Sequence, residues 1–284
     1  MTPLISLITV VLNDVSGLKA TAESIMSQRY QNFEWIIVDG FSSDGSWELA
    51  QELSSIPGVV IQQSRPTGIY GAMNLGADRS RAPWLWFINA GDLFLNKDVL
   101  EKVARIAEVN EMTSVIATPV VYLTSTNYYY SLSVPRVIET SLGNYASFHH
   151  QGCILNSIFF KEIGGFDETF RLAADGKLLD SIIKKSAPII SPYVSVGFEM
   201  GGATSKNFKK SLSEIIEYRK LAMTQNEMLV YRFKEFLRGI LVQLIDKPIM
   251  KHFLHFYISR RELTVIKQAN VAGLHLPTKG ENHE

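Results

Sequence analysis

The stretch WLWFINAGDLFL, Trp84 to Leu95, decides how the rest of the chain is read. Trp84 to Ile88 is a continuous apolar run with two tryptophans, the pattern of a strand covered on both faces. Asn89, Gly91 and Asp92 fall where that strand must turn. In open α/β sheets, ligands collect beyond the carboxyl ends of the strands, so a carboxylate at this corner is placed to hold a cation against a phosphate. The structural alternative is a plain turn, because Asn, Gly and Asp are all common turn formers.

Upstream, the same pattern repeats. Leu4 to Leu12 is β-branched and apolar and ends at Asn13-Asp14. Val15 to Gln28 places Leu18, Ala22, Ile25 and Met26 at helical spacing, with Asp14 or Ser16 as its cap. Phe33 to Val38 is a second strand ending at Asp39. The small polar turn Gly40 to Gly45 leads into a short helix over Ser46 to Leu53, and Gly58 to Gln62 is a third strand. Arg65 to Ala77 is a turn entering a helix. Strand and helix alternating in this way is the cadence of a parallel α/β sheet with right-handed crossovers.

Downstream of the anchor, Lys97 to Val109 is a helix with Val99, Leu100, Val103 and Ile106 on one face. Thr113 to Leu123 and Tyr128 to Val134 then read as strands, which breaks the strict alternation. FHHQGCILNSIFF, within Ser147 to Phe160, sets two histidines and a glutamine in an apolar strand context. A lone histidine there is more often a core residue than a ligand. Alternation on a strand turns His149 away from the face that carries His150. A helix containing Asp175 and a strand over Ile189 to Phe198 follow. No internal repeat or low-complexity linker interrupts the chain.

Bulk properties exclude several classes. With 284 residues, 46% of them hydrophobic, the chain can bury a sizeable core. Twenty-eight basic residues balance 28 acidic ones, so no global field attracts nucleic acid. Cys153 is the single cysteine, which excludes a disulfide framework and a Cys-rich zinc site. The first 13 residues lack a basic leader region and are too short an apolar run to span a bilayer, so a cytoplasmic protein is expected. From Lys206 the pattern turns helical, and Leu229 to Lys267 mixes Tyr231, Phe233, Phe236, Leu237, Ile240 and Leu241 with Arg232, Lys234, Arg238, Lys247, Lys251, Arg260 and Arg261. Such a tail suits the inner face of the cell membrane as a peripheral contact, or else packs on the catalytic domain or a dimer partner. Oligomeric state is not legible.

Several motifs together carry a family resemblance: ITVVLN (Ile8 to Asn13), VDGFSSDGS (Val38 to Ser46), GIYGAMNLG (Gly68 to Gly76), INAGD (Ile88 to Asp92), HHQG (His149 to Gly152), GGFDE (Gly164 to Glu168) and AAD (Ala173 to Asp175). In this order, over about two thirds of the chain, they resemble the family-two glycosyltransferases, in the branch that builds colanic acid and other exopolysaccharides. The resemblance implies an inverting enzyme of the GT-A fold: a Rossmann-like, mixed, mostly parallel α/β sheet flanked by helices. It implies a transferase domain over 1–205, with a nucleotide-sugar half (1–100) and an acceptor half (101–205), and a helical C-terminal extension over 206–284.

Residue roles follow from the same resemblance. Asp39 matches the carboxylate that pairs with a base N–H, of uridine or guanine; its structural alternative is capping through the Ser42-Ser43 turn. Thr9, Val11 and Asn13 would wall the base and ribose, with pure core as the alternative for Val11. Arg65, Gly68, Tyr70 and Asn74 would meet donor phosphate and sugar. Asn89, Ala90, Gly91 and Asp92 match the Asp-x-Asp region with one acid missing, leaving Asp92 as the ligand for Mn2+ or Mg2+, an ion that often takes only one or two protein carboxylates. Asp175 matches the general base, ahead of Asp167 and Glu168, and capping of its helix is the alternative. His150 and Gln151 match a pair near the diphosphate or acceptor, and Thr204 and Ser205, after Gly201-Gly202, a segment that closes over the donor.

The implied reaction moves a sugar from a UDP- or GDP-type donor to a saccharide or lipid-linked acceptor in surface polysaccharide synthesis. Other readings remain open at this stage. The depleted Asp-x-Asp and basic tail fit a catalytically degenerate transferase kept as an assembly partner. A nucleotidylyltransferase shares the α/β half, but the loop Asn13 to Gly17 lacks basic charge, and a glycoside hydrolase needs neither nucleotide-type strand ends nor a metal corner.

Overall fold

The computed structural model describes residues 2–65, 67–123, 129–199, 207–220 and 222–234, with residues 129–131, 199 and 208 described by backbone alone. β1 (Ile5–Val11) is buried along its whole length, as a strand covered by helices on both faces must be. It pairs in parallel with β2 (Phe33–Asp39) and with β4 (Trp84–Phe87), and β2 pairs in parallel with β3 (Val59–Gln63). α1 (Val15–Met26), α2 (Ser46–Leu53) and α3 (Ile69–Asp78) make the crossovers. Asp14 caps α1 by accepting the Gly17 N–H, as its residue type predicts.

The sheet has seven strands in the order β12-β6-β11-β4-β1-β2-β3, where β6 is Val115–Ala117, β11 Cys153–Asn156 and β12 Ile189–Ile190. β11 runs antiparallel between β4 and β6, so the sheet is mixed but mostly parallel. A smaller sheet has the order β5-β13-β7-β8: Leu93–Phe94, Val196–Glu199, Val120–Leu123 and Tyr129–Ser133. β9 (Arg136–Thr140) and β10 (Gly143–Ser147) form a separate hairpin. α4 (Val99–Glu108) buries Val99, Leu100, Val103, Ala104 and Ala107, the face its spacing predicts.

Three expectations are corrected. The runs Thr113 to Leu123 and Ile189 to Phe198 are not single strands: each divides between the two sheets. Pro119, which has no N–H to give a ladder, sits at the first break; the Ser195 N–H pairs with its carbonyl at 3.0 Å, and the Ser191 N–H with that of Ala117 at 2.8 Å. The apolar FHHQGCILNSIFF stretch is a 3-10 turn (His150–Gly152), then β11, then α5 (Ser157–Ile163), whose first turn Asn156 caps.

α6 (Ala174–Ile182) carries Asp175 in its first turn. α7 (Phe208–Arg219) and a helix over residues 225–234, described to that point, follow. α7 does not stand off as an extension. Arg219 and Asp180 of α6, each 8% exposed, form an ion pair at 2.8 Å, and Arg219 also donates to the Ala146 carbonyl at 3.1 Å. The guanidinium stacks on Tyr145, 4.1 Å from the ring centre. α7 and α6 thus share a buried contact.

Candidate active site

The carboxyl ends of β1, β2 and β4 open on one side of the sheet, and the site is built there. After β4 the chain turns at Asn89-Ala90-Gly91-Asp92, with Gly91 at φ 92°, a region that suits glycine. The Asp92 side chain closes the turn: its Oδ2 accepts the Asn89 N–H at 2.9 Å, and Thr21 of α1 donates to the Asp92 carbonyl at 2.9 Å. Asp92 is only 6% exposed, and burial, partly opposed by the charge of His150 and the Asn89 N–H, pushes its carboxyl up to about 7. Beside it, the Asn89 Oδ1 is buried with no hydrogen-bond partner. A buried carboxylate next to an unpartnered amide oxygen is a donor set that suits a hard divalent cation. Asp92 and Asn89 would hold it; among the described residues no three acidic, His or Cys side chains gather as a metal cluster, at this corner or elsewhere. Asp14, the α1 cap, also turns its second oxygen toward Gly91.

Across from the corner stands Asp175. Its Oδ2 pairs with the His150 Nδ1 at 3.0 Å, and its Oδ1 accepts the Tyr70 hydroxyl and the Gly176 N–H, each at 2.9 Å. The other His150 nitrogen, Nε2, lies 3.3 Å from the Asn89 Nδ2. One imidazole thus links the β4 corner to the first turn of α6. Burial works to raise the Asp175 carboxyl, but the hydrogen bond and charge of His150, helped by Gly176 and Tyr70, outweigh it and hold the group below its ordinary value. For His150, burial favours the neutral ring, yet the Asp175 hydrogen bond and the charges of Asp175 and Asp92 prevail and raise it. Tyr70 is raised well above its ordinary value by burial and by the Asp175 charge, so it stays a donor.

Asp39 ends β2 fully buried. Its Oδ2 accepts the Ser42 N–H at 3.0 Å and the Gln63 amide at 3.2 Å, so it does shape the following turn. Its Oδ1 is buried with no partner, an acceptor left for a donor from outside the chain. Asn13, at φ 52°, ties the ends of β1 and β2 together: its Oδ1 accepts the Ser43 N–H at 2.9 Å, and its own N–H donates to the Ser42 hydroxyl at 2.9 Å. Val11 is buried beside it, and Ala90 and Gly91 line the turn. Arg65 is exposed just before the entrance to α3, and Gly68 precedes its first residue.

Some expected ligand contacts have other work. Thr9 is fully buried and faces the core: its hydroxyl donates to the Ile88 carbonyl at 2.6 Å and accepts the Trp35 indole N–H at 2.9 Å. Asn74 clasps the Gly164 to Glu168 loop, pairing through its amide with both the N–H and the carbonyl of Phe166 at 2.9 Å. Gln151 contributes its carbonyl to the Trp86 indole at 2.7 Å, and its side chain is half-buried. His149 does turn away from His150, toward the Tyr122 hydroxyl at 2.8 Å, although it is the extended residue just before a 3-10 turn and not part of a strand. Asp167 is paired with Lys177, and Glu168 is exposed and bonded to Asn74, so neither faces the corner. Thr204, Ser205 and the glycines before them lie outside the described residues, as does the tail beyond residue 234.

Comparison with known proteins gives the family and the fold. The family profile described as Glycosyl transferase family 2 matches residues 6–163. An uncharacterized glycosyltransferase of Mycobacterium tuberculosis is 30% identical over 210 residues, covering 72% of this chain and 78% of its own. A PGL/p-HBAD biosynthesis glycosyltransferase of Mycobacterium bovis is 29% identical over 178 residues, 61% of this chain and 67% of its own. Among solved structures, S. aureus TarS 1-349 in complex with UDP is similar at a TM-score of 0.56 and 14% identity, covering 75% of this chain and 65% of that one. The mannosyltransferase PcManGT from Pyrobaculum calidifontis, in complex with GDP-Man and Mn2+, is similar at 0.56 and 13%, covering 96% and 76%. The fold is that of the GT-A class. The chain belongs to glycosyltransferase family 2, and the reaction it catalyses is glycosyl transfer.

Proposed function

We propose that the protein is an inverting glycosyltransferase that uses a nucleotide-diphosphate sugar of UDP or GDP type. Its acceptor is a hydroxyl of a saccharide, lipid-linked, in bacterial surface polysaccharide assembly. The single observation that carries the reading is the His150 bridge, whose two ring nitrogens meet the Asn89 amide of the β4 corner and the Asp175 carboxylate. Asp39, with its unpartnered Oδ1, supplies the acceptor for a base N–H, and Arg65 offers charge to the donor phosphates.

The chemistry follows from those positions. The acceptor hydroxyl attacks the anomeric carbon on the face opposite the diphosphate; the new C–O bond forms as the old one breaks, and the electron pair leaves on the diphosphate. Asp175 takes the acceptor proton as general base. His150 and Tyr70 hold that carboxylate ionised and aimed, so it waits in the form that accepts a proton. When bound at Asp92, Mn2+ or Mg2+ supplies Lewis-acid stabilisation of the leaving diphosphate. Two structurally similar proteins support this ligand chemistry: TarS in complex with UDP, and PcManGT in complex with GDP-Man and Mn2+. The test is a panel of UDP- and GDP-sugars with Mn2+, reading nucleotide release and donor-dependent thermal shift. Release and a shift with one nucleotide class are expected, and a folded protein indifferent to every donor would leave the degenerate-transferase reading in its place.

A contact with an anionic membrane surface is favoured by the helix over 225–234, where Leu229, Val230 and Phe233 are exposed beside Arg232 and Lys234. No helix among the described residues is long and apolar enough to cross a membrane. Flotation with anionic liposomes should recover the full chain and lose a variant ending at Asn226; equal recovery of both would remove the membrane role.

A further inference from the structure

We propose that Glu214 of α7 is a positioning residue for the transfer step: its carboxylate grips the backbone that leads into α6 and so sets where Asp175 stands. The proposal rests on the reading of Asp175 as the base. Glu214 is 9% exposed, and its two oxygens are spent on three consecutive N–H groups. Oε1 accepts that of Arg171 at 3.2 Å, and Oε2 those of Leu172 at 2.8 Å and Ala173 at 3.1 Å. Ala173 is the N-cap of α6 and has no side chain able to cap. A carboxylate from a helix about 40 residues away in sequence instead holds the backbone just ahead of α6, where the positive end of the helix dipole favours negative charge. Asp175 lies two residues further on.

The grip extends to the second contact on Asp175. The Arg171 guanidinium donates to the Thr67 carbonyl at the entrance of α3, and α3 carries Tyr70, whose hydroxyl is bonded to Asp175. One turn beyond Glu214, the Tyr218 hydroxyl fills the space that a Cβ on Gly176 would need, so α7 meets the first turn of α6 at close range. Glu214 thus stands behind both the helix that carries the base and the hydroxyl that aims it. It also lies outside the 6–163 region that matches the family profile.

A carboxylate offers enough lone pairs for all three N–H groups; an amide keeps one acceptor oxygen and cannot satisfy both ends of the grip. Displacement of a catalytic group by about 1 Å can cost a hundredfold in rate. Glu214→Gln is therefore expected to lower kcat about tenfold, and Glu214→Ala about a hundredfold, with donor KM and the affinity for UDP or GDP with Mn2+ changed less than threefold. Amide exchange at residues 171–176 should quicken in both variants while that of β1 and β2 stays unchanged. Glu214→Gln keeps the size of the side chain, and serves if Glu214→Ala fails to fold. Rates are read as nucleotide release from the UDP- and GDP-sugar panel. In an Asp175→Asn background, Glu214→Gln should bring no further loss, because its effect runs through that carboxylate. Loss of donor binding, a wild-type kcat, or an equal further loss in the Asp175→Asn background would each overturn the role of Glu214. Wild-type turnover by Asp175→Asn alone would instead remove the base on which the proposal rests.

Discussion

Replacing Arg219 by Met tests whether α7 belongs to the body of the enzyme. The side chains of Arg219 and Asp180 are each 8% exposed, and two hydrogen bonds join them, at 2.8 and 3.2 Å. Without the guanidinium, Asp180 keeps a single backbone donor, the Ala146 N–H at 2.7 Å. Removing one partner of a buried pair costs about 3–5 kcal/mol, because a charge is left buried and uncompensated. At about 2–4 °C per kcal/mol for a chain of this size, the melting temperature should fall by roughly 10 °C. The loss should also depend on pH. Burial already pushes the Asp180 carboxyl up, and losing Arg219 pushes it further. A carboxyl raised by folding favours the folded state below its unfolded pKa, near 4, and that advantage is lost as pH rises through the folded value. The deficit of Arg219→Met against wild type is therefore largest at pH 8 and shrinks as pH falls and Asp180 takes up a proton. Exchanging both residues, as Asp180→Leu with Arg219→Met, should recover most of the stability, since apolar replacements of a buried pair are often neutral. Urea unfolding at pH 5, 7 and 8 measures all of this. A loss under about 1 kcal/mol at pH 8 would refute the buried docking of α7.

Other variants separate the roles within the site. Asp92→Ala should abolish the effect of Mn2+ on donor binding, seen as loss of the metal-dependent part of the donor's thermal shift; an unchanged metal dependence would take the ligand role from Asp92. Thr9→Val strands the Trp35 indole N–H in the core, so it should cost about 1–3 kcal/mol of stability with donor KM unchanged. A weakened donor affinity at full stability would return Thr9 to the nucleotide pocket.

Much of the architecture is legible in the sequence because its central strands are covered on both faces. ISLITVV, FEWIIVD and WLWF admit little but buried parallel strands, and the polar residues Asn13, Asp39 and Asn89 stand at or just beyond their carboxyl ends. The acceptor half is less legible. A continuous β-branched run does not encode which sheet it joins, so the breaks at Pro119 and between Ser191 and Ser195 appear only once both sheets exist. Site residues divide in the same way. Asp39, Asp92 and Asp175 stand at or just past strand ends or in a first helical turn, where local pattern places them, whereas His150 stands on a 3-10 turn where the pattern predicts a strand. Thr9 and Asn74 have ligand-like side chains and sit in the right motifs, yet their polar atoms are claimed by Trp35 and Phe166, partners 26 and 92 residues away. Glu214, Tyr218 and Arg219 fall in a tail whose pattern says only that it is helical. No local spacing reveals a carboxylate whose partners lie at 171–173.

The most direct test of the central claim is Asp175→Asn, assayed for donor binding and for transfer in parallel. Asparagine keeps the size of the side chain and a carbonyl oxygen for the Tyr70 hydroxyl, but it cannot take the acceptor's proton. Donor affinity should stay within about threefold of wild type while transfer falls by about 10²–10⁴-fold, the range for a lost general base. Transfer near the wild-type rate, or a loss confined to donor binding, would contradict the account.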